Sequence, residues 1–325
     1  MIAMAKELKN PVPNATVDDT LEILKLLSGY IDLNTYSGEN FEDLDKLLAY
    51  NKLKIDQIVP KLMPVCGEMI QRCYWLGTEV RCDAFFEQTV TFLGACCSFN
   101  YVGAKSNHTT SRKFEASSIL NQAKVVTTSG TLAGLIVVLN PLFDDYFYTR
   151  FRVKGFRVIV HDSYDYPELN SPTVFVKADA VSYVNVLPEA IYSTDEIYGK
   201  DVMIRECYDE NEIRLNVMKH YSFINCMVEC RRLIAYSFCG CIPYNYPRNG
   251  TLPTCNATQV KCVIKHNGEI LNANPIVKHQ IDLMPELPIS SSCNCLPSCK
   301  YYQYAAQVTH GRLRFNQSVK SQNYL

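Results

Sequence analysis

Ten of the fifteen cysteines of this 325-residue chain fall within residues 207–299, and their spacing restricts the fold more than any other feature. Cys226 and Cys230 lie four apart within the helical pattern of residues 215–238, which puts both thiols on one helix face about 6 Å apart. Cys293 and Cys295 lie two apart, and on an extended segment they share a face about 6.6 Å apart. The two pitches match. An antiparallel arrangement therefore pairs Cys226 with Cys295 and Cys230 with Cys293, and Cys207 with Cys299 continue the ladder outward. Inside it, Cys239 and Cys241 form a second one-faced pair opposite Cys255 and Cys262, across a turn at Asn249-Gly250. Nesting gives Cys239 with Cys262 and Cys241 with Cys255. Ten cysteines allow about 945 full pairings, so this geometry proposes one scheme and does not prove it. The function of such a ladder is rigidity, since each bridge contributes roughly 2–4 kcal/mol. The competing use of these spacings is a structural zinc module. Zinc sites favour Cys-x-x-Cys or histidine partners, and neither His220 nor His266 falls at such a spacing.

So many cysteines belong in an oxidising compartment. Five Asn-X-Ser/Thr sequons, at Asn14, Asn107, Asn249, Asn256 and Asn316, agree with that placement as glycosylation candidates. Residues 1–13 hold no apolar core of signal-peptide length, and the longest apolar run, residues 132–139, is strand-sized. An extracellular chemistry without an export or membrane segment reads as a fragment of a longer chain. The formal net charge of -1 supplies no basic field, so a nucleic-acid partner is not expected. Ser, His and Asp occur in no nucleophile-elbow arrangement, and Gly-x-Gly-x-x-Gly and Walker motifs are missing from the sequence, so no enzyme and no cofactor is expected. The histidines, His161 included, read as loop or strand-end residues, and no metal site is expected.

Leu21, Leu24 and Leu27, then Phe41, Leu44, Leu47 and Leu48, recur at helical intervals, with Thr16 and Asn40 as N-cap candidates. Two or three helices are expected to end at Pro60 and Pro64. From residue 90 the texture turns to β-branched and aromatic runs at 135–139, 156–160, 173–176 and 181–187. Helix returns after Arg205, a cysteine-bound loop region closes at Cys299, and a last strand at 301–308 leads into a polar tail. The expectation is an α+β, disulfide-rich fold.

Several segments taken together resemble the degenerin/epithelial sodium channel family. They are Arg205-Glu206-Cys207, Tyr221-Ser222, Cys226-x-x-x-Cys230, Cys239-Gly240-Cys241-Ile242-Pro243 and Cys293-Asn294-Cys295-Leu296-Pro297-Ser298-Cys299. Thr91-Phe92-Leu93-Gly94-Ala95-Cys96-Cys97-Ser98-Phe99-Asn100 is similar to the family's Thr-x-x-Gly-x-Cys-x-x-Phe-Asn segment, and its doubled cysteine looks most like the insect pickpocket branch. Gly134-Leu135 onward, Gly155-Phe156-Arg157-Val158 and Pro167 match the run of palm and ball strands. The likeness covers about residues 66–308. Before Cys66 the chain matches only in position, as the variable finger.

The resemblance implies the extracellular part of a trimeric, sodium-selective, amiloride-blocked cation channel at the plasma membrane. Its partners are identical or homologous subunits, sodium ions in the full-length channel, and an unidentified extracellular ligand. It divides the chain into a helical finger-like region (1–89), a β-rich palm, ball and knuckle region (90–204), a disulfide-rich thumb (205–300), and a return palm strand with a truncated tail (301–325). Both membrane helices and the Ser-rich filter of the family have no counterpart in this sequence, so the polypeptide as it stands cannot conduct. The alternatives are a secreted or surface cysteine-rich binding protein derived from such a channel, and an unrelated cysteine-rich matrix or inhibitor domain. In acid-gated relatives, carboxylates between finger and thumb hold protons, which singles out Glu206, Asp209, Glu210 and Glu212; acidic residues also simply favour a helix start. The expected scaffold is the thumb cysteines, with Tyr221 and Pro243 packed around them.

Ten thumb cysteines leave Cys66, Cys73, Cys82, Cys96 and Cys97. Cys96 aligns with a family cysteine whose partner lies outside this sequence, so it is the expected unpaired thiol. The other four are left for two bridges of open pairing. Alkylation followed by peptide mapping is expected to find the label on Cys96, and label on any other cysteine overturns that assignment.

Overall fold

In the computed structural model, residues 1–31, 41–103, 123–130, 133–145, 153–168, 170–275 and 292–313 are described. Asn40, Asn107 and Asn316 lie outside them. The chain opens with α1 (Ile2–Glu7), α2 (Val17–Ile31), α3 (Glu42–Tyr50) and α4 (Ile55–Leu62). Thr16 starts α2 through a reciprocal cap: the Asp19 N–H donates to Thr16 Oγ1 at 3.2 Å, and the Thr16 N–H donates to the Asp19 carboxylate at 2.7 Å. The Thr16 hydroxyl also donates to that carboxylate at 2.7 Å, and the bonds from the Thr16 hydroxyl and N–H hold the Asp19 carboxyl below the usual aspartate range. Leu24, Leu27, Phe41, Leu44, Leu47, Leu48, Ile55, Ile58 and Val59 are buried together, the helical spacing of the apolar residues expressed as a core. Pro60 does not end α4 but sits inside it. Its missing N–H removes one bond near the C-terminus, and burial of Ile55, Ile58 and Val59 holds the turn.

Strand texture begins earlier than residue 90. After α5 (Cys66–Met69), β1 (Ile70–Trp75) and β2 (Thr78–Val80) form a hairpin, followed by β3 (Phe86–Thr91) and β4 (Gly94–Phe99). The finger-like region expected to be helical to residue 89 therefore turns to strand at Ile70. The hairpin is short, and it is closed by Cys73–Cys82 across a turn in which Leu76 and Gly77 both take positive φ. The second bridge left open by the sequence joins Cys66 to Cys97. β5 (Leu135–Leu139) adds antiparallel to β1, giving the order β2-β1-β5. Trp75, Phe85 and Phe99 pack between these pieces with ring centroids 5.3–6.1 Å apart.

β6 (Gly155–Ile159) and β7 (Thr173–Lys177) form another antiparallel pair. β8 (Ala180–Tyr192) is followed by the short helices α6 (Asp195–Tyr198) and α7 (Val202–Arg205), then α8 (Phe223–Cys239), α9 (Val260–Lys265) and α10 (Asn267–Leu271). Two short strands, β9 (Asn274–Pro275) and β10 (Ser292–Cys293), pair in parallel before β11 (Lys300–Arg312). β8 and β11 pair antiparallel from Lys300 opposite Tyr192 to Arg312 opposite Ala180. The α+β, disulfide-rich class holds. The helix expected over 215–238 starts later because Ser222 is its N-cap, accepting from the Asn225 N–H at 3.0 Å, and it stops at left-handed Gly240.

Backbone segments cross tightly where β4 ends. The Val102 N–H donates to Ser163 O and the Lys219 N–H to Gly103 O, both at 2.8 Å. A Cβ on Gly103 would lie 2.2 Å from the Tyr164 carbonyl oxygen. Gly103→Ala is expected to destabilise the chain by about 1–3 kcal/mol, read as a lowered urea midpoint; an unchanged midpoint would show that this crossing yields.

Candidate functional site

The centre of the molecule is α8 and what is fastened to it. Its one face carries Cys226 and Cys230, bridged to Cys295 and Cys293 with Cα separations of 5.8 and 5.9 Å. Cys207–Cys299 lies beyond them, and Cys239–Cys262 and Cys241–Cys255 fold the following loop back onto the helix end. The five bridges are nested, and they consume the ten thiols of residues 207–299. Tyr221 and Pro243 are buried beside the ladder, and the Tyr221 hydroxyl donates to Leu296 O at 2.6 Å. Cys96 is the free thiol among the described residues. It shares a hydrogen bond of 3.3 Å with Thr91 Oγ1, and burial pushes its pKa up, which suppresses thiolate chemistry.

The polar residues of α8 fasten the surrounding loops. Asn225 is fully buried: its Oδ1 accepts from the Tyr166 N–H, and its Nδ2 donates to Tyr164 O and His220 O. Glu229 accepts from the Asn216 N–H at 2.7 Å, the Asn216 side-chain amide at 2.6 Å and the Val217 N–H at 3.3 Å. Arg231 pairs with Glu168 in a largely buried ion pair. Tyr166 donates its hydroxyl to Asn245 O at 2.6 Å. Thus the loop 161–168 between β6 and β7 is plugged into α8. These residues were missed in the sequence. The available signal was polar Asn225 and Glu229 directly beside Cys226 and Cys230, on turns that a ladder must bury.

Of the carboxylates singled out for proton binding, Glu212 accepts from the Asp209 N–H at 2.8 Å. Glu206 and Glu210 are exposed, and Glu206 holds a left-handed backbone at the end of α7. Glu212 pairs with Arg205, whose hydrogen bond holds that carboxyl below the usual range, the opposite of a proton-holding group. Arg205 also donates to the carbonyls of Tyr198, Lys200 and Cys207, so its role here is to clasp the turn before the ladder. Among the described sequons, Asn14, Asn249 and Asn256 are exposed. Asn256 Oδ1 also accepts from the Gln259 N–H at 2.8 Å, and Asn249 Oδ1 accepts from the Thr251 hydroxyl at 2.7 Å.

A different titratable group lies at the plugged loop. Burial raises Asp165 to about 6, opposed by a hydrogen bond from Ser222 and assisted by the charge of Asp162. Burial also raises Glu87, with Lys219 opposing, and lowers His161, whose Nδ1 lies 2.7 Å from Asp162 O. The Tyr304 hydroxyl donates to Asp162 at 3.1 Å, and the Tyr101 ring meets His161 edge-on at 5.6 Å. Asp165 binds its proton more tightly folded than unfolded. Its stabilising contribution is therefore present below the ordinary value of 3.8 and lost as pH rises through about 6. His161 has the opposite sign, losing stability as pH falls through its ordinary range. Asp165→Asn should match or exceed the parent in urea midpoint at about pH 7.5 and lose that advantage near pH 4.5; a larger penalty at the higher pH would contradict this reading.

Among the described residues, no helix is long and apolar enough to cross a membrane. A family model described as amiloride-sensitive sodium channel matches residues 6–324. Sodium channel protein Nach of Drosophila melanogaster is 26% identical over 311 residues, covering 94% of this chain and 56% of that protein. Pickpocket protein 11 of the same fly is 27% identical over 247 residues, covering 75% of this chain and 40% of its own length. Pickpocket protein 28 is 23% identical over 269 residues, covering 75% and 42%. The chain spans about half the length of the curated relatives it matches. With nearly its whole length matched by the family model, and with insect Nach and pickpocket proteins as relatives, the chain belongs to the amiloride-sensitive sodium channel family.

Proposed function

We propose that this chain is the extracellular region of a subunit of a trimeric, sodium-selective, amiloride-blocked cation channel at the plasma membrane, and that it couples an extracellular stimulus to pore opening. The carrying observation is the stitched helix α8. It runs from the loop that contacts the N-terminal helices to the segment that becomes β11, and covalent bridges fix both of its ends. In family terms the N-terminal helices are the finger, residues 205–300 the thumb, and the β8–β11 ribbon part of the palm. The ladder then supplies stiffness for transmission. The exposed sequons Asn14, Asn249 and Asn256 would carry glycans on the extracellular side.

The second reading is a secreted or surface cysteine-rich binding protein derived from such a channel, for which the bridges would serve as a stable scaffold. Expression of the complete transcript in oocytes separates the two. The channel reading expects two hydrophobic spans in the product and a sodium current blocked by amiloride, alone or with a co-expressed pickpocket subunit. In the same cells, replacing Cys230 and Cys293 by Ser should lower the current at least tenfold at matched surface level. A product released to the medium without either span would establish the binding-protein reading instead.

A further inference from the structure

The two sequons in the loop between α8 and α9 are built differently. Asn249, Gly250 and Thr251 are all exposed, and Asn249 Oδ1 is engaged within its own turn, by the Thr251 hydroxyl at 2.7 Å. Asn256-Ala257-Thr258 is instead folded into the body of the chain. Asn256 Oδ1 accepts from the Gln259 N–H at 2.8 Å and from the Thr258 hydroxyl at 3.1 Å. The Asn256 N–H donates in return to Gln259 Oε1 at 3.0 Å, a reciprocal cap on the turn that leads into α9. Ala257 is 0% exposed and belongs to the apolar cluster of the N-terminal helices, with Leu44, Leu47 and Ile58. From α3 the Asp45 carboxylate accepts from the Ala257 N–H at 2.8 Å and the Thr258 N–H at 2.9 Å. Arg248 of the same loop donates to Asp56 of α4 at 3.2 Å, and Cys255, next to the sequon, is bridged to Cys241. The middle residue of this sequon is thus buried, and the outer two are bonded through backbone and side chain alike.

The acceptor atom is nevertheless open. Asn256 is exposed, and its bonds run through Oδ1 and the backbone N–H, so a sugar on Nδ2 leaves the cap in place. The reverse order is blocked. Glycan transfer takes an extended Asn-x-Thr segment with a free threonine hydroxyl. In the docked segment the Thr258 hydroxyl is committed to Asn256, and withdrawing Ala257 from its core strands the Asp45 carboxylate. In the transfer, Asn256 Nδ2 bonds to the anomeric carbon of a lipid pyrophosphate-linked oligosaccharide. The bond from that carbon to the pyrophosphate oxygen breaks, the lipid pyrophosphate leaves, and Nδ2 gives up one proton. Asp45 precedes Ala257 by 212 positions, so the N-terminal helices are made and able to fold before this sequon is synthesised.

We propose that Asn256 is a gated glycan acceptor: the sugar is added only before residues 254–262 dock on Asp45, so that occupancy at Asn256 records a race between glycan transfer and closure of this joint. Asn249 is modified without that competition. The inference rests on the extracellular placement argued above, and Asn249 serves as its internal control.

Expression of the complete transcript in cultured mammalian cells tests the race. Total cell protein is treated with peptide N-glycosidase in heavy-oxygen water, which turns each glycosylated asparagine into labelled aspartate, and the peptides covering the two sites are quantified. The unmodified fraction at Asn256 should exceed that at Asn249 at least about fivefold. Asp45→Ala, and separately Cys241→Ser combined with Cys255→Ser, should each cut that fraction about threefold or more and leave Asn249 at its parental value. Occupancy is read on total protein, so the result stands whether or not a variant reaches its final fold. Gly103→Ala, which disturbs the chain away from the joint, should leave Asn256 at its parental value. Equal, near-complete labelling of both sites in the parent would overturn the proposal, as would a Gly103→Ala effect as large as that of Asp45→Ala. Label at Asn249 alone, unchanged in the Asp45 and cysteine variants, would show that Asn256 is no acceptor. Label at neither site would overturn the extracellular reading and this inference with it.

Discussion

Everything in this molecule depends on the match between a helix turn and a strand repeat. Cys226 and Cys230 present two thiols on one face of α8, and Cys293 and Cys295 present two at nearly the same pitch, so two bridges form side by side. Two parallel bridges remove rotation as well as translation, which a single one would leave free. Once α8 is held in this way, its neighbours acquire a fixed reference. Asn225 can commit its amide to the loop 161–168, and Glu229 can bury its charge against the Asn216 and Val217 backbone. A buried carboxylate with three backbone and amide donors is costly if any donor drifts, so it is tolerable only on a helix that does not move.

The same logic sorts the two cores. One surrounds α8 and contains the bridged cysteines, and the other is made by the N-terminal helices. They meet through residues 244–260, a segment with little regular structure that is held closed by Cys241–Cys255 and Cys239–Cys262 and buries Tyr244, Tyr246, Ala257 and Val260. Acidic residues at Asp45 and Asp56 turn that meeting into a docking with direction, since each finds a defined donor rather than solvent. Charge in this protein is used locally, to seat loops, and its overall balance says little.

Much of this was legible in the sequence, and the boundary is instructive. Helical spacing found α2 and α3, β-branched runs found β5 to β8, and cysteine pitch proposed a nested ladder, because each is a short-range pattern with a fixed period. The β1–β2 hairpin escaped because its strands are short and its turn uses Leu76, a residue that rarely takes positive φ. Pro60 was read as a stop, but tertiary burial of the turn outweighs one lost backbone bond. Asp45, Asp56 and Asp165 carry no sequence signature at all. Their significance comes from partners 192 and 212 positions away in the chain or from burial, and neither is written in local order. Of the carboxylates that local crowding did single out, Glu212 holds the turn at Asp209 and pairs with Arg205, and Glu206 and Glu210 are exposed.

The β8–β11 ribbon gives the molecule a mechanical asymmetry. Among the described residues it is two strands wide and pairs over its whole length, from Lys300 opposite Tyr192 to Arg312 opposite Ala180. Narrow ribbons twist more strongly than broad sheets, so a pronounced twist is expected along this one. Its Lys300 end follows directly on Cys299, where the covalent ladder terminates. The covalent ladder therefore ends where the ribbon begins, and Cys299 and Arg312 are joined by one continuous two-stranded path.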